Sequence, residues 1–174
     1  NFAASLYYSE AGQWSESLVL LDQIPEHDRT TSIKELHARS IVYVKSDLAT
    51  KLYADKAEAE GIQMLSSVEE DAKDNPELVA VVTSAWLKMN QHERSAALLE
   101  RNIQLDPSFL QHYAGLLLQT GQDVKLQGLF DEVDAPNSKH APVKDSLDNI
   151  RIALRVRQVE TLRGSASIAH RQSI

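Results

Sequence analysis

Residues 75–107 read NPELVAVVTSAWLKMNQHERSAALLERNIQLDP, and residues 107–137 continue PSFLQHYAGLLLQTGQDVKLQGLFDEVDAPN. The first stretch predicts a helix over 76–89, a turn at Asn90-Gln91, a second helix over 92–105 and closure at Asp106-Pro107. The second predicts a helix over 107–120, a turn at Gly121-Gln122 and a helix over 124–133. Pro107 follows Pro76 by 31 positions, and Gly121 follows Asn90 by the same 31. Two landmarks returning at one period mark a helix–turn–helix repeat.

Working outward, residues 2–11 are helix-like, Gly12-Gln13 interrupts them, and 14–23 carries Leu18, Leu20 and Leu21 up to a stop at Pro25. From Thr30, with Thr31 or Ser32 as the expected N-cap, Ile33, Leu36, Ile41, Val44, Leu48 and Leu52 recur at helical steps. Nothing breaks that pattern before Tyr53, which predicts an elongated helix of about 23 residues, roughly 35 Å long. A further helix is expected over 56–72, on Ile62, Leu65 and Val68. After a looser Ala135-Pro136-Asn137 linker comes another long helix over 143–162, then a turn near Gly164 and a new helix from Ala166. The expected hairpins are therefore about 1–24, 30–73, 76–106, 107–134 and 143–174, in one array. The elongated members predict hinges near 32–53 and 135–143. The chain opens at Asn1 inside one helical pattern and closes at Ile174 inside another, which predicts an excised fragment.

Composition narrows the function classes. Hydrophobic residues at 43% and charged residues at 25% are ordinary for a folded domain, while only 6 Gly and 5 Pro favour helices over a turn-rich β architecture. A formal charge of −7, with no concentrated Lys/Arg face, argues against nucleic acid. Arg151, Arg155, Arg157 and Arg163 read as a solvated helix face. No Cys is present, so no disulfide, thiolate metal site or cysteine nucleophile exists. No apolar run approaches the roughly 20 residues that span a bilayer.

The repeat resembles the tetratricopeptide family. In that family small residues lie where two helices cross, bulky ones surround them, and Pro closes the unit. Trp86 fits the large position late in the first helix, Ser95 and Ala96 the small positions, Leu99 the bulky one, and Leu105-Asp106-Pro107 the closure. Ala114, Leu117, Gly121 and Phe130 occupy the same slots one unit on, and Tyr8, Gly12, Ser17 and Leu21 near the start. The match departs from consensus: Val79 and Thr83 stand where the family has Trp and Gly, and 31 residues replace its 34. The resemblance implies an all-α, tetratricopeptide-like helical-hairpin solenoid, an α-α superhelix with some elongated helices. Helices of a hairpin approach within about 8–10 Å only over small residues.

The order of elements carries a second resemblance. YAGLLLQTGQD over 113–123, a leucine-rich helix, a loop, and a long Arg-bearing helix ending Glu160-Thr161-Leu162-Arg163 are similar to the export-subunit family of bacterial cellulose synthase. That likeness implies a periplasmic array preceding an outer-membrane barrel. It also implies partners among the other subunits of a polysaccharide synthase and export complex.

No catalytic constellation is found. His27, His37, His92, His112, His140 and His170 never stand at the i, i+4 spacing of a helical zinc pair. No phosphate loop or nucleophile elbow occurs, and Glu58, Glu60 and Glu69-Glu70-Asp71 read as solvated faces. No enzyme activity, metal or cofactor is expected. The family's concave face is lined by first helices. On the slot alignment this places Glu77, Ser84 and Lys88, then Gln111, His112, Gly115 and Gln119, in a polar lining. Trp14, Trp86, Tyr8 and Tyr113 fall on core spacing, so Tyr7, Tyr43 and Tyr53 are the candidates for exposed aromatic rings. Three functions follow: an export scaffold that joins proteins, a module that binds or guides a glucan chain, or a cytosolic protein-binding domain.

Overall fold

The structure, a computed structural model, describes residues 1–172, with side chains as far as Arg163. It is all-α, without a strand among the described residues. The helices are α1 (Phe2–Glu10), α2 (Trp14–Asp22), α3 (Thr31–Ala54), α4 (Glu58–Ser66), α5 (Glu69–Ala72), α6 (Pro76–Lys88) and α7 (His92–Arg101). They continue as α8 (Pro107–Gln119), α9 (Asp123–Asp134) and α10 (Asp148–Gln172). The chain divides into two compact units, Asn1–Leu105 and Asp106–Ile174. Their boundary falls between the two 31-residue repeats, while the segments expected as hinges lie one inside each unit.

Among the described residues, four hairpins turn in one way. Gly12, Lys56, Asn90 and Gly121 take left-handed φ of 73°, 69°, 55° and 71°. The next residue's N–H then bonds back to the carbonyl of Tyr8, Leu52, Trp86 or Leu117 at 2.8–2.9 Å. This closure caps the first helix of each hairpin and aims the chain directly into the second. Gly and Asn adopt left-handed φ at little cost, which is why three of these turns are legible in the sequence. Lys56 gives no such signal.

Five residues beyond the left-handed position, each hairpin of the first unit places a small residue against its partner helix. Ser17 Oγ donates to the Ser5 carbonyl at 2.9 Å, and Ser95 Oγ to the Thr83 carbonyl at 3.4 Å. Gly61 holds the equivalent place between α3 and α4, where a Cβ would come within 2.7 Å of the Ala49 carbonyl oxygen. In the second unit the slot holds Leu126, fully buried.

Asn75 and Asp106 accept from the first free N–H groups of α6 and α8, with Pro76 and Pro107 just inside. A cap and a proline that needs no donor together fix where each helix begins. Trp86 is fully buried, and its indole N–H reaches Glu69 of α5 at 2.8 Å. Leu98, Leu99, Leu117, Phe130 and Leu154 are buried as well. Leu21, Ile33 and Leu36 form a cluster with Phe2, Trp14 and Ile24 against it.

Several expected boundaries shift. The helix expected over 56–72 breaks into α4 and α5, because Ser67 Oγ bonds the Met64 carbonyl and Val68 is fully buried in the bend. Neither Thr31 nor Ser32 caps α3; its N-cap is Thr30, without a side-chain bond. The second helix of the 76–106 hairpin stops at Arg101, where Asn102 folds its amide onto the Leu98 carbonyl. Two 3-10 turns, Ala141–Val143 and Asp145–Leu147, precede α10, which begins at Asp148 and not at Val143. The turn expected near Gly164, and with it the final hairpin over 143–174, gives way to continuous helix. One interior glycine costs only about 1 kcal/mol relative to Ala, too little to end a helix. The close at Ile174 and the His170 side chain lie outside the described residues.

Candidate functional site

The long helix α3 packs against α6, and the two leave a groove of about 490 Å³ between them. One wall is Tyr43, Ser46, Asp47 and Thr50, spaced i, i+3, i+4, i+7 and so aligned on one face of α3. The other wall comes from α6: Glu77, Ala80, Val81, Ser84 and Lys88, with Ala85 beside them. Three residues expected on a common lining, Glu77, Ser84 and Lys88, thus share one groove with Tyr43, one of the candidate aromatics.

The groove's end at Glu77 is rigidly built. Tyr43 Oη donates to Glu77 Oε1 at 2.6 Å, and the Arg39 guanidinium bonds the same oxygen. Trp14 of α2 stacks on Tyr43 with ring centroids 4.0 Å apart and an interplanar angle of 10°. Arg39 lies 5.3 Å above the Trp14 centroid. Burial and the Glu77 hydrogen bond raise the Tyr43 phenol above its usual range. Burial opposes ionisation of Glu77 too, but hydrogen bonds from Tyr43 and Arg39 outweigh it and hold the carboxyl below the usual range. The arrangement therefore favours a neutral phenol and an ionised carboxylate.

Along the groove Asp47 pairs with Lys51 at 2.6 Å. Ser46 is 4% exposed, and its hydroxyl meets no partner in the protein. A buried unpaired hydroxyl is costly, so this one stands out.

The remaining predicted residues lie elsewhere. Tyr7 is 67% exposed on α1 and meets Tyr8 edge to face at 5.8 Å. Tyr53 is half-buried near the end of α3, its backbone and Cβ beside Gly61. Gln111, His112 and Gln119 are exposed on α8, in the second unit. Trp86 and Tyr113 are buried, as their spacing predicts, whereas Trp14 and Tyr8 are half-buried. Ser46, Asp47, Thr50 and Arg39 went unread in the sequence. The signal for Ser46, Asp47 and Thr50 is their i+3, i+4, i+7 spacing from Tyr43, on a helix otherwise patterned for packing; Arg39, one turn before Tyr43, carries no such signal. Among the described residues no cluster of His, Asp or Glu is arranged to hold a metal, and no helix is long and apolar enough to cross a membrane.

Fold and site together define an all-α protein of tetratricopeptide-like helical hairpins, with a polar groove between two first helices. Its sequence is similar over nearly its whole length to proteins called cellulose synthase operon protein C. The one from Xanthomonas axonopodis pv. citri is 25% identical over 167 residues, covering 92% of this chain and 11% of the relative. The one from Pseudomonas fluorescens is 20% identical over 166 residues, covering 93% of this chain and 13% of the relative. The chain thus spans about an eighth of the length of these curated relatives. No protein-family model and no solved structure matches it.

Proposed function

We propose that this chain is part of the periplasmic scaffold of a cellulose export machine, a spacer between the synthase and an outer-membrane pore that docks partner proteins. The observation that carries the reading is the likeness to cellulose synthase operon protein C over more than nine-tenths of the chain. Stacked helical hairpins suit the role, because they set distance and present surface without needing a catalytic centre.

In-frame removal of these residues from the parent protein is the test. Secreted cellulose is expected to fall sharply while the rest of the protein still reaches the outer membrane. Unchanged secretion, or fractionation of the parent protein with the cytosol, overturns the reading and favours a cytosolic protein-binding domain.

A further inference from the structure

We propose that the groove between α3 and α6 binds a β-linked glucan segment. The choice of glucan rests on the export reading; the existence of the site rests on the groove itself.

Ser46 lines the groove, buried and with its hydroxyl unpartnered, and Thr50, Ser84 and Tyr43 add further hydroxyls around it. Tyr43 and Thr50 already donate to Glu77 Oε1 and the Asp47 carbonyl, so they offer lone pairs, while Ser46 and Ser84 can both donate and accept, as a sugar hydroxyl does. Asp47 and Glu77 are already neutralised by Lys51 and Arg39 yet keep lone pairs free to accept. A neutral polyol can therefore dock against either carboxylate without desolvating an unpaired anion. The exposed Lys88 amine at the groove's far end can stay hydrated or donate to a sugar oxygen. Ala80, Val81 and Ala85 add a low apolar strip suited to the C–H face of a pyranose. Tyr43, held by Trp14 on one side and by Glu77 at its hydroxyl, is an aromatic already fixed in place, so little side-chain entropy is lost on binding. The volume of about 490 Å³ falls within the range of small-ligand clefts.

An extended polypeptide fits the lining less well. A peptide bond is matched two-point by a side-chain amide, and the lining contains no Asn or Gln. Its Ser, Thr and Tyr hydroxyls are single-point partners spaced along one helix face, as hydroxyls are along a glucan.

The test is an NMR titration of the 174-residue chain with cellohexaose, using maltohexaose as the α-linked control. Amide signals from Ser46, Asp47, Thr50 and Ser84 are expected to shift at millimolar cellohexaose, with a response at least about tenfold weaker to maltohexaose. Ser84→Trp, at an exposed position, fills the groove and is expected to abolish the shifts. Ser46→Ala is expected to weaken binding several-fold while leaving the fold intact. An unchanged spectrum, equal response to both sugars, or shifts that survive Ser84→Trp overturn the proposal. Should cellohexaose be silent while Ser84→Trp abolishes co-purification of a periplasmic protein, the groove's occupant is a polypeptide; the glucan site is then wrong and the scaffold reading stands. Groove-specific cellohexaose binding combined with undiminished secretion after in-frame removal keeps the site and rejects the scaffold.

Discussion

The Tyr43 phenol donates a 2.6 Å hydrogen bond to Glu77 Oε1, joining the middle of α3 to the first turn of α6. With Arg39 on the same carboxylate and Trp14 stacked behind the ring, residues from α2, α3 and α6 meet at one point. Tyr43→Phe keeps the stack and removes the bond, so a loss of about 1 kcal/mol is expected near neutral pH. The pH profile identifies the bond. Tyr43's folded value is raised above 10.0, so its contribution is complete below pH 10 and fades as pH rises through the raised value. Glu77's is lowered below 4.5, so its contribution is complete above that pH and is lost as pH falls through the lowered value. Urea unfolding from acid to alkaline pH should show the alkaline limb vanish and the acid limb shrink in the variant. Unchanged limbs contradict the assignment.

Glycines in the helices should respond with opposite signs. At Gly61 an added Cβ lies 2.7 Å from the Ala49 carbonyl oxygen and 3.2 Å from the Tyr53 nitrogen, both backbone. Gly61→Ala must push α4 away from α3, for an expected loss of about 1–3 kcal/mol despite the better helix former. At Gly115 and Gly128 a Cβ meets nothing within 4 Å. There Ala should raise stability by up to about 1 kcal/mol. Urea midpoints that move the same way at Gly61 and Gly115 refute the crossing described for α3 and α4.

The left-handed residue of the α3–α4 turn is a lysine. Lys56→Gly is expected to stabilise the chain by roughly 1 kcal/mol, and Asn90→Gly by less, since Asn tolerates that conformation. Gly12→Ala and Gly121→Ala should each cost about 1 kcal/mol through backbone strain alone, because neither Cβ meets a neighbour within 4 Å. Thermal melts of the four variants check the order.

Leu99 is 1% exposed, in the same repeat as the fully buried Trp86. Leu99→Ala is expected to cost about 2–5 kcal/mol, with the spread set by how far the neighbours collapse. A shift below about 1 kcal/mol in chemical denaturation would remove it from the core.

The sequence by itself determined the class of fold and the repeat grammar. Asn75-Pro76 and Asp106-Pro107 start helices through their own side chains and rings, and Gly12, Asn90 and Gly121 turn the chain through their own backbone freedom. Such signals act within a few residues, so one stretch of sequence carries them. Tertiary structure decided everything that depends on what lies opposite. Lys56 is driven into a left-handed turn because α4 packs on α3, and residues 56–72 split because Val68 is buried at the bend. Gly164 stays in helix because a single weak former has no cap to work with. The groove belongs to the same category. Glu77, Ser84 and Lys88 were legible as one helical face, but their company of Tyr43, Ser46 and Asp47 needed α3 to cross α6 at one register. Trp14 reads as core and does pack against the Leu21, Ile33 and Leu36 cluster. That its other side braces Tyr43 was decided by tertiary structure, because helical spacing reports which side of its helix a ring occupies and not which neighbour covers it.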